Sequence, residues 1–279
     1  MNKNKLRQIC KDRAAQYGLP FNSILTHYFL EHVLNKIAQS RFSKNFIFKG
    51  GFLLSNFVGI SNRTTKDIDL SLTGKELNVE NIQSLFEEML CPSMSANQEI
   101  EISIEKIEPI RDEDEYGGFR ITILCLFENI RVSFPIDVAT GDVVTPCHME
   151  YSYVSFFGNS FTLRSYTTQT IIAEKLHTLY KKGIFNSRCK DFFDLYILYK
   201  LKILCLNREQ VLAACKNTFE HRKTTLSFDL IKELLISLEQ DNDFVNRWNA
   251  FAKRNAYVGN LQLEVVLKNI RAFIDWIVS

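Results

Sequence analysis

The segment FIFKGGFLLSNFVGISNRTTKDIDLSL, residues 46–72, most constrains what this chain can fold into. It predicts a short apolar strand, a Gly-Gly turn that opens a helix, and a second strand that carries Asp67 and Asp69. Side chains two apart in a strand project to one face, so the two carboxylates converge while the residues between them point into a core. Gly50 and Gly51 let a backbone approach a ligand, and the helix start offers unpaired N–H groups to an anion. The segment therefore predicts a phosphate cradle beside two acids that can hold a divalent cation.

A third acid follows further along the chain. The run IRVSFPIDVAT, residues 130–140, is apolar and rich in β-branched residues, and it contains Asp137. An unpaired carboxylate inside an apolar strand costs several kcal/mol unless something compensates it. A metal ion would do so, and two-metal phosphoryl transfer requires such a third ligand. The alternative is that Asp137 caps a turn before Gly141, and Asp142 could equally be a surface acid. With two acids already present upstream, we favour the metal interpretation.

A pair of helices downstream carries further charged residues. In TTQTIIAEKLHTLYKK, residues 167–182, apolar positions recur at helical spacing, and Lys175 is placed so that its stem lies on apolar surface while its head reaches outward. A second helix begins near residue 188 with Asp191 and Asp194 on its first turns. These acids suit the positive end of a helix or a pairing with Arg188. Alternatively, Lys175, Lys190 and Asp191 line the rim of a nucleotide site, and both interpretations stay open.

These motifs together resemble the nucleotidyltransferase superfamily, and more narrowly the AbiEii/AbiGii toxin family. The resemblance spans roughly residues 45–200. It is carried by Lys49-Gly50-Gly51, by Arg63 ahead of Asp67-Ile68-Asp69-Leu70, by Asp137, and by a helical motif that contains Glu174, Lys175, Arg188, Lys190, Asp191, Asp194 and Tyr196. The helical motif makes the match more specific than an isolated Asp-x-Asp.

The resemblance implies a metal-dependent transferase that moves a nucleoside monophosphate from an NTP to an acceptor hydroxyl. Asp67, Asp69 and Asp137 would be the catalytic carboxylates and would bind Mg²⁺ or Mn²⁺. The residues expected to contact the nucleotide are Lys49, Gly50, Gly51, Arg63, Lys66, Lys175, Lys190 and Asp191. Members of this family act in two-gene toxin–antitoxin or phage-defence systems, and some modify the acceptor end of tRNA. The expected partners are therefore an NTP, tRNA or another RNA, and a cognate antitoxin.

The expected fold is α+β. A nucleotidyltransferase-type mixed sheet with flanking helices would occupy residues 1–165, and a C-terminal helical bundle, residues 166–279, would wall one side of an active-site cleft. In the first part we expect helices within 5–40 and 77–91, strands within 99–110 and 117–138, a solvated acidic loop at 111–118, and a short hairpin at 156–166.

Composition limits the remaining possibilities. The net charge of +2 gives no whole-chain argument for a nucleic-acid partner, and no DNA-specific motif is present. Basic residues near the proposed site suit a triphosphate or an RNA backbone, although solvated helix ends explain them as well. The seven cysteines are scattered without metal-binding spacing, and there is neither a signal peptide nor a run of about 18 apolar residues. These features predict a cytoplasmic protein without a membrane segment.

Two other functions remain open at this level. The same transferase chemistry could act on a small molecule or on a protein side chain instead of RNA. The chain could also be a non-catalytic relative that binds a nucleotide and regulates a partner, although the presence of all three carboxylates argues against this.

Overall fold

The computed structural model describes residues 2–90, 100–110, 117–158 and 160–279. The chain forms two compact units, of which the first comprises residues 1–142 and 149–165 and the second comprises residues 143–148 and 166–279. Within the described part of the chain, no helix combines the length and apolarity that crossing a membrane requires.

The first unit is a mixed sheet with flanking helices, as the sequence predicts, and the sheet has seven strands among the described residues. Strand order is β3-β4-β5-β2-β1-β7-β6, in which β2 is parallel to β5 and β1 is parallel to β7. The other neighbouring strands are antiparallel. Its helices are α1 (Lys3–Tyr17), α2 (Phe21–Gln39), α3 (Gly50–Val58) and α4 (Val79–Leu90), and its strands are β1 (Phe46–Lys49), β2 (Ile68–Leu72), β3 (Glu101–Ile110), β4 (Gly118–Phe127), β5 (Ile130–Ala139), β6 (Met149–Val154) and β7 (Ser160–Ser165).

The β4–β5 hairpin is the longest regular pairing in the described sheet, and its register runs without a break from Gly118 opposite Ala139 to Phe127 opposite Ile130. Only Glu128 and Asn129 connect the two strands, and Glu128 adopts a positive φ of 51°. Two-residue hairpin loops require such left-handed backbone, which matches the twist of the flanking strands. This turn fixes which residues of the two strands lie opposite each other.

The expected bounds of one hairpin were wrong. A hairpin was expected within residues 156–166, but its first strand, β6, already begins at Met149 and ends at Val154. Tyr153 is the one buried residue of β6, so this strand contributes little to the apolar core. Most of the acidic loop expected at 111–118 lies outside the described residues, which resume at Gly117.

The second unit is helical in its elements, as the sequence predicts. Its helices are α5 (Thr168–Lys182), α6 (Cys189–Lys202), α7 (Arg208–His221), α8 (Phe228–Glu239), α9 (Asn242–Arg254) and α10 (Leu263–Val278). Four of these helices begin at a side chain that accepts a hydrogen bond from the backbone N–H three residues later, which satisfies a donor that the helix leaves unpaired. These capping residues are Thr167, Asn207, Ser227 and Asp241.

A buried carboxylate joins helix α2 to the β6–β7 hairpin. Glu31 is only 4% exposed, and its Oε1 accepts hydrogen bonds from the Tyr153 hydroxyl at 3.0 Å and from the Phe156 N–H at 2.7 Å. His27 lies 3.3 Å from the same oxygen, and the Ser155 hydroxyl donates to Oε2. Burial disfavours the charged form, but the contacts with His27, Ser155 and Phe156 outweigh it and hold the pKa of Glu31 below its ordinary value.

We expect Glu31→Gln to lower the free energy of unfolding by ~2–3 kcal/mol at pH 7, because the variant turns an amide donor towards groups that themselves donate. A carboxyl group with a lowered folded-state pKa stabilises the protein above its ordinary pKa of 4.5, and this contribution is lost as the pH falls through the folded value. Urea unfolding of both proteins between pH 7 and pH 3 checks this. A difference that stays constant or grows in acid would contradict it.

Candidate active site

Four charged residues form one row across the middle of the sheet. Asp69 on β2 is the register partner of Lys49 on β1 and of Asp137 on β5, and Asp137 is the partner of Arg120 on β4. Directly opposed residues in a sheet point to the same face, so these side chains stand beside one another. Glu108 on β3 extends the row beyond Arg120. The two neighbouring carboxylates are thus flanked by a cation on each side.

The predicted alternation around the first acidic pair is confirmed. Ile68 and Leu70 are 0% and 1% exposed, whereas Asp67 and Asp69 are only partly buried. Asp67 directly precedes β2, and its carboxylate accepts a hydrogen bond from the Thr65 hydroxyl. Both carboxylates therefore stay out of the core that the intervening residues fill.

The Gly-Gly pair lets the Asp69 carboxylate lie against the start of α3. The Gly51 N–H donates to Asp69 Oδ2 at 3.3 Å. Gly50 has a φ of +72°, and a Cβ atom built there would overlap the Asp69 carboxylate. A Cβ atom at Gly51 would lie 3.1 Å from Thr65 Oγ1 and 3.2 Å from Arg63 Nη2. Only glycine fits at the first of these positions, and a side chain would be crowded at the second.

Arg120 holds Asp137 with two parallel hydrogen bonds. The Nε and Nη2 groups each donate to one carboxylate oxygen at 2.7 Å. This bidentate contact, together with the charges of Asp137 and Asp67, raises the pKa of Arg120 above its ordinary value although partial burial opposes it. The alternative that Asp137 caps a turn is wrong, because it lies inside β5. Sequence reasoning missed Arg120, whose position becomes visible only when the hairpin register is known.

Lys49 at the end of β1 is paired with Asp142, a residue that the sequence left as a possible surface acid. That alternative is wrong, because the Asp142 side chain is only 8% exposed and its Oδ2 contacts Lys49 Nζ. The Lys49 side chain is 18% exposed. The pairing keeps a cation at the end of β1, beside Asp69 in the row.

The two other basic residues expected near the nucleotide differ in exposure. Arg63 is 4% exposed, its guanidinium donates to the Thr64 carbonyl, and its own carbonyl accepts from the Ser55 hydroxyl at 2.5 Å. Lys66 is exposed. Arg63 therefore shapes the loop that precedes β2, whereas the Lys66 ammonium group is open to solvent.

The donor chemistry of the three acids suits Mg²⁺ or Mn²⁺, which prefer carboxylate oxygens. In this arrangement, however, no three His, Cys, Asp or Glu side chains among the described residues lie close enough together to hold a metal ion. Asp67 and Asp69 lie two residues apart on one face, but both oxygens of Asp137 are engaged by Arg120. The structure thus fits a cation held by the first two acids and does not fit Asp137 as a bidentate third ligand while Arg120 holds it.

The charged residues of the helical motif lie in the second unit and form a cluster of their own. Lys175 Nζ donates to Asp191 at 2.8 Å and to Asp194 at 2.6 Å, and Arg188 lies 2.9 Å from Asp191. The two aspartate side chains are 3% and 1% exposed. Burial opposes the charged forms of Lys175 and Asp191, yet the carboxylates raise the pKa of Lys175, and Lys175 with Arg188 lowers the pKa of Asp191.

The expectation that the Lys175 head reaches outward is wrong, because the side chain is only 14% exposed and two buried carboxylates hold it. The pairing of Asp191 with Arg188 that the sequence left open is present. Lys190, on the first turn of α6, is only partly buried.

Comparison with known proteins agrees with this geometry. A family model described as "Nucleotidyl transferase AbiEii toxin, Type IV TA system" matches residues 32–273. No protein with a curated description matches the chain. The structure of JHP933 from Helicobacter pylori is similar at 13% identity, with a TM-score of 0.55 over 92% of this chain and 91% of that one. A candidate nucleotidyltransferase from H. pylori is also similar at 13% identity, with a TM-score of 0.52 over 93% and 96%. At identities this low, the structural similarity establishes a shared fold alone.

We expect Gly50→Ala to destabilise the protein by at least ~2 kcal/mol more than Gly18→Ala. Both glycines have positive φ, at +72° and +63°, so both variants carry the left-handed backbone cost of ~1–2 kcal/mol. Only at Gly50 would the new methyl group meet a side chain, that of Asp69, because nothing lies within 4 Å of the corresponding position at Gly18. Urea unfolding of both variants measures the difference. Equal losses would show that Asp69 does not rest against this helix start.

We expect Lys175→Met to cost ~3–5 kcal/mol of unfolding free energy, because it leaves two buried carboxylates without their cation. Lys232→Met is a matched control. Lys232 also contacts two aspartates, Asp229 at 3.2 Å and Asp275 at 3.4 Å, but these are 87% and 65% exposed. Solvent already stabilises the exposed charges, so we expect little measurable change in the control. Chemical denaturation checks both variants, and similar costs for the two would refute a structural role for the Lys175 cluster.

Proposed function

The chain belongs to the AbiEii nucleotidyl transferase toxin family, and from this premise we propose that it transfers a nucleoside monophosphate from an NTP to an acceptor hydroxyl with the help of Mg²⁺ or Mn²⁺. It is a nucleotidyltransferase. The observation that carries the finer proposal is that Asp69, which lies against the glycine-rich start of α3, is the register neighbour of Asp137. Paired acids beside a helix start suit a metal-bound triphosphate.

Asp67 and Asp69 would be the cation ligands. They share one face, and the Gly51 N–H and the Thr65 hydroxyl already orient them. When bound, a divalent cation supplies charge neutralisation of the triphosphate and of the attacking oxygen. In the reaction, the acceptor hydroxyl would lose its proton with the help of Asp137, its oxygen would bond to the α-phosphorus, and the bond from that phosphorus to pyrophosphate would break. Asp137 would complete the site on the acceptor side and orient the hydroxyl.

The chain's own groups would hold the phosphates. Gly50 and Gly51 leave the helix start free of side-chain atoms, which allows the phosphate oxygens to approach the backbone. Lys49 at the edge of the row and the exposed Lys66 would contribute positive charge. Arg63 would act by stabilising the conformation of the loop before β2. A role for Lys175, Lys190 and Asp191 in nucleotide binding stays a prediction, and for Lys175 it has to be separated from the stability that its ion cluster provides.

We propose RNA, in the first place the acceptor end of tRNA, as the substrate. The match to a type IV toxin–antitoxin family supports a toxin-like role in which an essential cellular RNA is modified and a cognate antitoxin counteracts the effect. Such a role would be exercised in the cytoplasm and could serve phage defence. A small molecule or a protein side chain is the competing acceptor, and a nucleotide-binding regulator without turnover is the competing function.

We expect label from one α-³²P-NTP, supplied with Mg²⁺, to appear in a tRNA-sized band when the enzyme is mixed with total RNA and total protein. Asp69→Asn should reduce the incorporation by at least ~100-fold, because loss of a ligand should cost no less than loss of a supporting residue. Asp243→Asn, an exposed position at the start of α9, makes the same change of charge elsewhere and should retain activity.

The location of the label decides between the alternatives. Label in protein would move the acceptor to a polypeptide. Nucleotide binding without release of pyrophosphate from any NTP would sink the transferase proposal. Transfer that persists undiminished in the presence of excess EDTA would refute metal dependence.

A further inference from the structure

We propose that Arg120 and the divalent cation exchange places at Asp137, so that the guanidinium holds this carboxylate before the cation enters and turns towards the triphosphate afterwards. This inference rests on the proposed function and assigns a role to a residue that the sequence motifs do not contain. Arg120 would therefore be a positioning residue for Asp137 and a binding residue for the nucleotide.

The first argument is that Asp137 cannot serve both partners in the same way. Its two oxygens each accept a hydrogen bond of 2.7 Å from Arg120, in the side-by-side geometry in which carboxylate and guanidinium match best. A cation that is to bind both oxygens of Asp137 in this bidentate way has to displace the guanidinium.

The second argument is the narrow spacing of the row. Asp69 and Asp137 are register partners on adjacent strands, and Arg120 is on the next strand. Neighbouring strands are about 4.8 Å apart, so a cation shared by the two acids would lie within roughly one strand spacing of the guanidinium. Asp67 also contributes to the electrostatic field at Arg120. Two positive centres at this separation repel, and the weaker binder leaves.

The third argument is that the Arg120–Asp137 pair is exposed enough to open. The Arg120 side chain is 45% exposed and that of Asp137 is 20% exposed, so water can solvate both charges as they separate. The Lys175 cluster in the second unit gives the contrast, because its two carboxylates are 3% and 1% exposed. Breaking that cluster would leave charges buried, whereas breaking the Arg120 pair would not.

The released guanidinium has a chemical use. A planar fork of N–H donors suits phosphate oxygens as well as it suits a carboxylate. The cation therefore frees Arg120 for the triphosphate, and the triphosphate in turn removes Arg120 from Asp137, which makes the binding of the two ligands cooperative. Removal of the guanidinium should therefore strengthen the binding of the divalent cation and weaken the binding of the NTP.

The test measures Mn²⁺ binding by electron paramagnetic resonance in the absence of nucleotide, and the KM for the NTP that supports transfer. We expect Arg120→Gln to bind Mn²⁺ at least ~5-fold more tightly than wild type and to raise the KM at least ~5-fold, the lower range of typical coupling effects. Arg120→Lys keeps the charge but not the fork, and it should bind Mn²⁺ no more tightly than wild type.

Arg131→Gln is the matched control. Arg131 lies on the same sheet, is 67% exposed, and pairs with Glu105 at 2.6 Å, so its loss removes the same charge from another strand-to-strand ion pair. We expect neither the Mn²⁺ affinity nor the KM for the NTP to change in this variant. Thermal melts establish that each variant is folded before binding is measured.

Mn²⁺ affinity of Arg120→Gln that is equal to or weaker than that of Arg131→Gln overturns the exchange. Arg120→Met, which also removes the charge, decides the same point if the glutamine variant does not fold. A KM that is unchanged in Arg120→Gln overturns the part of the proposal that concerns the triphosphate. These results differ from failure of the proposed function itself, which would appear as absence of transfer and of Mn²⁺ binding in the wild-type protein.

Discussion

The arrangement of the whole site depends on two like charges that lie on neighbouring strands. Asp69 and Asp137 are register partners, and carboxylates directly opposite each other in a sheet repel. The surrounding structure offsets that repulsion with Lys49 on one side and Arg120 on the other. A backbone N–H at the start of α3 provides further compensation to Asp69. The arrangement concentrates negative charge at one place on the sheet, and the neighbouring cations and N–H group compensate its repulsion in the absence of a ligand.

The two units use ion pairs for different purposes, and solvent exposure separates them. In the second unit Lys175 is held by carboxylates that are almost fully buried, and such a cluster resists opening because each charge would lose its compensation. In the first unit the Arg120–Asp137 pair remains in contact with water. The same kind of ion pair therefore joins helices out of contact with water in one unit and lies open to water in the other. Sequence motifs that list charged residues do not contain this distinction.

Local sequence patterns were enough to place the first acidic pair, the Gly-Gly start of α3 and the helical character of the second half. In each of these the cause acts over a few residues: side-chain alternation around Ile68, or positive φ at a glycine. The environments of Asp137 and Lys175 could not be predicted in the same way, because their partners lie 16 to 19 residues away along the chain. Contacts at that range depend on strand register and helix packing, which short-range periodicity does not encode.

The hairpin turn at Glu128 and Asn129 shows how the proposed site depends on strand register. It places Arg120 opposite Asp137 through an unbroken ladder of pairs, and the parallel pairing of β5 with β2 then places Asp137 beside Asp69. A slip of one residue in β5 would turn Asp137 to the other face of the sheet. The acidic site would then lose its third carboxylate and Arg120 its partner at once. The apolar residues of β5, which bury alternate positions such as Ile136 and Val138, oppose that slip, so the core of the sheet also secures the chemistry at its charged face.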